Sequence, residues 1–120
     1  MLFNKTSYTV GLYSEFLARM YLRLHGYRIL KSRYITGKKT NRAEIDIIAK
    51  HKNTIVFVEV KDRQTKRYGM PREAITPYKQ NKIRVVATQY LMSKRLTNSK
   101  VRFDCIEILG DTISHIENAF

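Results

Sequence analysis

Asp46, Glu59 and Lys61, with Glu44 close by, are residues whose types and spacing could do chemistry together. They lie in two β-rich runs, residues 44–49 (EIDIIA) and 55–61 (IVFVEVK). Between them the stretch KHKNT, residues 50–54, suits a hairpin turn. A turn centred between Lys52 and Asn53 sets Asp46 opposite Glu59, Glu44 opposite Lys61 and Ile48 opposite Phe57. Side chains alternate along a strand, so Glu44, Asp46, Glu59 and Lys61 share one face. Ile45, Ile47, Ala49, Val56, Val58 and Val60 make the other, and a one-residue slip would bury the charges. Asp46 and Glu59 then stand as direct cross-strand neighbours, with β-carbons ~4.5–5.5 Å apart, where like charges repel. A divalent cation between them would relieve that repulsion. Two carboxylates with a backbone carbonyl and waters suit Mg²⁺, with Mn²⁺ as the other oxygen-liking choice. The bland alternative is a solvated, salt-bridged face of a half-exposed hairpin.

The elements that must position these residues follow from periodicity. Residues 9–25 read as a helix, with Leu12, Tyr13, Phe16, Leu17, Met20 and Leu24 as its apolar stripe and Gly26 as its stop. Glu15 falls at the edge of that stripe, where a helix meets a sheet. Residues 27–30 read as a short strand. Residues 31–42 read as a basic loop, with part of a strand allowed. A second helix should start with Thr76 as N-cap and Pro77 in its first turn, and run to about Ser93. Its core face is Ile83, Val86, Ala87, Tyr90 and Leu91. Residues 101–109 and 112–116 read as strands around a Gly110-Asp111 turn. The order α-β-β-β-α-β-β implies one domain, residues 1–120, with a mixed sheet covered by helices and a crossover between parallel strands.

Charge narrows the partner. Lysine and arginine number 23 against 10 acids, a net charge of +13 in 120 residues. Such an excess favours a polyanionic partner, nucleic acid ahead of a membrane surface. The acids are unevenly spread. Up to Ala43 only Glu15 opposes nine basic residues, and residues 74–103 hold no acid. Glu44, Asp46, Glu59 and Asp62 are among the acids between, as a cation site facing a polyanion would require. Lys38, Lys39, Arg42, Arg63, Lys66, Arg67 and Arg72, in segments flanking the hairpin, are the candidate phosphate grips. The single cysteine, Cys105, reads as a small buried hydrophobe, and no Cys/His set has zinc spacing. His25, His51 and His115 read as isolated. No apolar run reaches the ~20 residues of a membrane span. A reducing, cytoplasmic setting is expected.

Asp46 followed by Glu59-Val60-Lys61 resembles the D…(D/E)-x-K signature of the restriction-endonuclease-like nucleases. The wider chain resembles the YraN-type family of small predicted endonucleases, distantly similar to archaeal Holliday-junction resolvases. The resembling stretches are Gly11-x-x-x-Glu15-x-x-Ala18-x-x-Tyr21-Leu22, Gly26-Tyr27-x-Ile29-Leu30, residues 44–49, Val56 to Lys61 with Arg63, Gly69-x-Pro71-x-Glu73-Ala74-Ile75 with Lys79, Arg102-Phe103-Asp104 and the ending from Ile116 to Phe120. This resemblance implies an α/β, restriction-endonuclease-like αβββαβ core with a mixed central sheet flanked by helices. It implies a Mg²⁺-dependent endonuclease acting on structured nucleic acid, branched forms included, with DNA ahead of RNA. Glu15, Asp46 and Glu59 would be metal ligands beside the Val60 carbonyl. Lys61 would be the catalytic lysine. Glu44 and either Lys79 or Gln80 would support the site. A homodimer would suit a two-fold junction. Two alternatives stay open: a non-cleaving nucleic-acid-binding module on a nuclease fold, and a DNA-repair or RNA-processing factor that works only with a partner.

Overall fold

A computed structural model of the chain describes residues 7–37, 43–63 and 75–120, with side chains from Gly11 onward. The elements are α1 (Ser7–Leu24), β1 (Arg28–Thr36), β2 (Ala43–His51), β3 (Thr54–Arg63), α2 (Pro77–Ser93), β4 (Lys100–Leu109) and β5 (Thr112–Ile116). One five-stranded sheet runs in the order β1-β2-β3-β4-β5. Its β3–β4 pair is parallel and the other pairs are antiparallel. The expected element order holds. β1 is longer than expected because Lys31, Ser32, Tyr34, Ile35 and Thr36 pair with β2 rather than looping out.

Local chemistry sets the boundaries. Gly26, at φ 86, ends α1 in the left-handed region that costs glycine nothing. Thr76 caps α2, its hydroxyl accepting the Lys79 N–H at 3.2 Å, with Pro77 in the first turn where no N–H is missed. The β2–β3 hairpin turns on Lys52 and Asn53, with Lys52 at φ 55.

Both faces of the sheet are covered. Ile47, Ala49, Val56, Val58, Ile106 and Ile108 pack with Ala18 and Leu22 of α1. Ile45, Ile48, Ile55 and Phe57 pack with Ile83, Val86, Ala87 and Tyr90 of α2, the helix face expected for it. Glu44, Asp46, Glu59 and Lys61 therefore do not lie on a solvated hairpin face. Nor does Ile45 share a face with Ile47: two residues apart, they join clusters on opposite sides. β2 departs from strict alternation at Asp46.

Of the stripe expected to bury α1, Leu17 packs against the core and the rest faces outward. Leu12 is 40% exposed, Tyr13 58%, Phe16 48%, Met20 41% and Leu24 80%. The helix buries Ser14, Glu15, Ala18 and Leu22 instead, with Leu17 and Tyr21 at the margin. Ser14 and Ala18 present little bulk, so the helix can lie close to the sheet. The Ser14 hydroxyl donates to the Asp62 carboxylate of β3 and fastens the two.

The histidines are not isolated. Tyr21 packs against His25 and His115, with ring centres 4.2 and 5.5 Å apart, and Tyr27 stacks on His51 at 4.2 Å. Beneath them Asp104, fully buried on β4, takes two hydrogen bonds from Arg102 at 2.8 Å. It also meets His115 Nε2 at 2.7 Å and accepts the Asn118 N–H at 3.1 Å. Burial alone would raise its pKa, but these partners hold it below the ordinary carboxylate value. The network binds β4, β5 and the end of the chain into one unit. Cys105 is buried as expected, and burial pushes its thiol up to about 11.

Candidate active site

The site forms where β2 parts from β3. Their register pairs Ile48 with Phe57 and His51 with Thr54, as the turn dictates, and ends at Ile47 with Val58. Asp46 and Glu59 therefore do not meet as ladder neighbours. Past Ile47 the Asp46 carboxylate takes the place of a strand partner, accepting the Val60 N–H at 2.8 Å. The contribution of Val60 that the structure displays is this N–H, rather than its carbonyl.

Three carboxylates converge there. One oxygen each from Glu15, Glu44 and Asp46 lies within 4.8 Å of the others. Glu15 reaches them because α1 buries its Ser14-Glu15-Ala18 side against the sheet. Whether the helix would deliver Glu15 is a tertiary question that spacing leaves open, and the fold answers it. Glu44 carries more weight than its expected supporting place, since it completes the group.

Glu59 sits beside this cluster with two lysines. It is buried, and its Oε1 lies 2.8 Å from Lys79 Nζ and 3.4 Å from Lys61 Nζ. Thr76 and Pro77 start α2 so that Lys79 falls in the first turn, facing β3. Gln80 serves differently: its amide donates to the Ile75 carbonyl at 3.0 Å and secures the entry to the helix.

The electrostatics follow from burial and crowding. The Asp46 carboxyl is pushed up to about 8, first by burial and then by Glu59, with Glu15 and Glu44 adding to it. The Val60 N–H works the other way. An ion-free cluster of this kind holds its proton near neutrality. Lys61 is held below the ordinary lysine value, first by burial and then by Lys79 beside it. Burial also works to lower Lys79, but the Glu59 pair outweighs it and the ammonium is strengthened.

Arg33 is a site residue that sequence reading passed over. Its Nε donates to Glu15 Oε1 at 2.8 Å and its Nη2 to Oε2 at 3.4 Å. Its signal, one arginine in a basic stretch, was indistinguishable from the surface charges around it. Of the expected phosphate grips, Arg63 is paired with Glu107 at 3.3 Å. Lys38, Lys39, Arg42, Lys66, Arg67 and Arg72 lie outside the described residues. No described helix is long and apolar enough to cross a membrane.

Comparison with known proteins finds relatives of the chain by sequence. A family model described as "Uncharacterised protein family UPF0102" matches residues 14–108. A "UPF0102 protein" of Clostridium beijerinckii is 42% identical, covering 98% of this chain and 97% of its own. One of Alkaliphilus oremlandii is 45% identical, over 92% of this chain and 97% of its own. One of Syntrophus aciditrophicus is 40% identical, over 100% of this chain and 95% of its own.

Proposed function

The chain belongs to the uncharacterised protein family UPF0102, and we propose that it is a metal-dependent endonuclease hydrolysing phosphodiester bonds in structured nucleic acid. The observation that carries this is the meeting of Glu15, Glu44 and Asp46, beside the Lys61–Glu59–Lys79 group, in a chain of net charge +13. The element order and the parallel β3–β4 pair support a restriction-endonuclease-like core for it.

The donor set fits a hard divalent cation. Three carboxylates offer oxygen ligands only, the choice of Mg²⁺ or Mn²⁺. Burial first, and then Glu59 with smaller additions from Glu15 and Glu44, drive Asp46 up to about 8, and such an ion would relieve the repulsive part. Asp46, Glu44 and Glu15 would hold the ion, with Glu59 adjoining. When bound, it supplies charge neutralisation at the phosphate and makes water a better nucleophile.

The chain's own residues divide the remaining work. Asp46 is kept in place by the Val60 N–H, so its carboxylate is oriented before any ligand arrives. Lys61, its pKa lowered first by burial, can hold an attacking water or hand over a proton more readily than an ordinary lysine. Lys79 stays charged and faces the developing negative charge of the phosphate. Glu59 bridges the two lysines through one carboxylate oxygen. Among nucleic acids DNA is the first candidate, in branched or flapped form.

The test is a cleavage assay with labelled four-way junctions, flaps, duplex, single strands and a structured RNA, in Mg²⁺, Mn²⁺ or EDTA. Cutting that needs metal and disappears in Asp46→Asn is expected. Undiminished cutting by Asp46→Asn would sink the assignment. Salt-sensitive binding without cutting in any condition would replace it with a binding module.

A further inference from the structure

Arg33 combines two features at one point of the fold. It lies inside β1 yet has φ 54, a left-handed conformation in which Asn and Asp are enriched and long side chains are uncommon. Its guanidinium also engages both oxygens of Glu15, a member of the converging acids. Strained backbone persists only where its surroundings over-determine it, and such positions cluster at functional sites. A fork-to-carboxylate pair is among the stronger contacts able to hold one.

The charge distribution gives that pair a meaning. Among the described residues, the ion pairs at the site engage Glu15 and Glu59, whereas Glu44 and Asp46 have none. A cation therefore already occupies one corner of the acid cluster. Arg33 engages both Glu15 oxygens, so a metal ion at Glu15 must share them with a guanidinium whose positive charge opposes its own. The Arg33 side chain is 36% exposed, so it has solvent to move into when it lets go.

We propose that Arg33 is an internal counter-cation that occupies Glu15 in the ion-free protein and competes with a divalent cation for it. The proposal rests on the acid cluster being a cation site. It adds that the site loads by exchange: the ion's arrival releases a guanidinium whose planar fork suits a phosphate. Arg33 is thus a positioning residue that acts through Glu15.

Calorimetric titration with MnCl₂ tests this on the whole chain, with no need for catalysis. Asn at position 33 tolerates the left-handed backbone and removes the charge, so Arg33→Asn is expected to fold. It should bind Mn²⁺ about tenfold tighter than the unaltered chain, within the range of coupled ligands. Glu15→Gln should bind more weakly. In the double variant Arg33→Asn with Glu15→Gln, the gain should vanish, because the competition passes through Glu15. Lys94→Gln, which removes an exposed charge at the far end of α2, should leave the affinity unchanged. Equal or weaker binding by Arg33→Asn would overturn the proposal. So would a gain that persists in the double variant, since Arg33 would then act only as diffuse positive charge. Either result with measurable binding by the unaltered chain leaves the cation site standing. No binding by any of these proteins at millimolar Mn²⁺ would remove the cation site and the proposal together.

Discussion

Replacing Asp46 by asparagine should stabilise the metal-free protein. Asparagine keeps the shape and an oxygen able to accept the Val60 N–H at 2.8 Å, but carries no charge. In the folded chain the Asp46 carboxyl is raised from 3.8 to about 8, by burial and then by Glu59. Near neutral pH it stays protonated when folded and ionises when unfolded. A raised folded pKa means stability is greatest below the unfolded value and is lost as pH rises toward the folded one. The loss from Asp46 begins near pH 4 and levels off above about pH 8. At pH 7 the carboxylate costs up to about 4 kcal/mol, from roughly three pH units at 1.36 kcal/mol each. Asp46→Asn should recover much of this at pH 7 and almost none at pH 4. For a chain of this size that is a rise in melting temperature of about 10 °C or more. Thermal and urea denaturation followed by circular dichroism, in EDTA at several pH values, measures the difference between the two proteins. That comparison cancels the other titrating groups. Added Mg²⁺ should then raise the melting temperature of the unaltered chain and leave Asp46→Asn where it was. A variant less stable at pH 7, or a difference that does not change with pH, would refute the account of a crowded, buried carboxylate.

Removing Lys79 takes away the neighbour that helps lower Lys61. In Lys79→Met, the pH profile of cleavage should therefore shift to higher pH as its rate falls, read from initial rates across the range. The outer stripe of α1 should be expendable: Phe16→Ser, at a position 48% exposed, should change stability by less than about 0.5 kcal/mol. Leu22→Ala, fully buried, should cost about 2–5 kcal/mol, both by urea denaturation. Asp104→Ala leaves Arg102 and His115 facing each other without their carboxylate and should cost about 3–5 kcal/mol in the same measurement. Binding of a labelled DNA junction should weaken steeply with salt, at a slope near −0.9 per phosphate contacted, read by fluorescence anisotropy.

The features legible from residues alone are those set within a few positions of each other. Thr76-Pro77 starts α2, Gly26 stops α1, and Lys52-Asn53 turns the hairpin, because capping and turn chemistry are local. The register from Ile47 to Thr54 follows from that turn and from strand alternation. The presence of Asp46, Glu59 and Lys61 on neighbouring strands was legible for the same reason.

What tertiary structure alone decided begins where those local rules end. At Asp46 the carboxylate replaces a ladder partner, β2 leaves β3, and Ile45 crosses to the α2 side. On α1, periodicity offers two faces, and the more apolar of them is the one left outside. Docking selects the side with Ser14 and Ala18, whose small side chains let the helix approach the sheet. That choice carries Glu15 inward to Glu44, Asp46 and Arg33. It also brings Tyr21 to His25 and His115. A hydrophobic pattern ranks faces by transfer energy alone, whereas a packed interface also weighs how closely two backbones can meet and which charges become paired when they do.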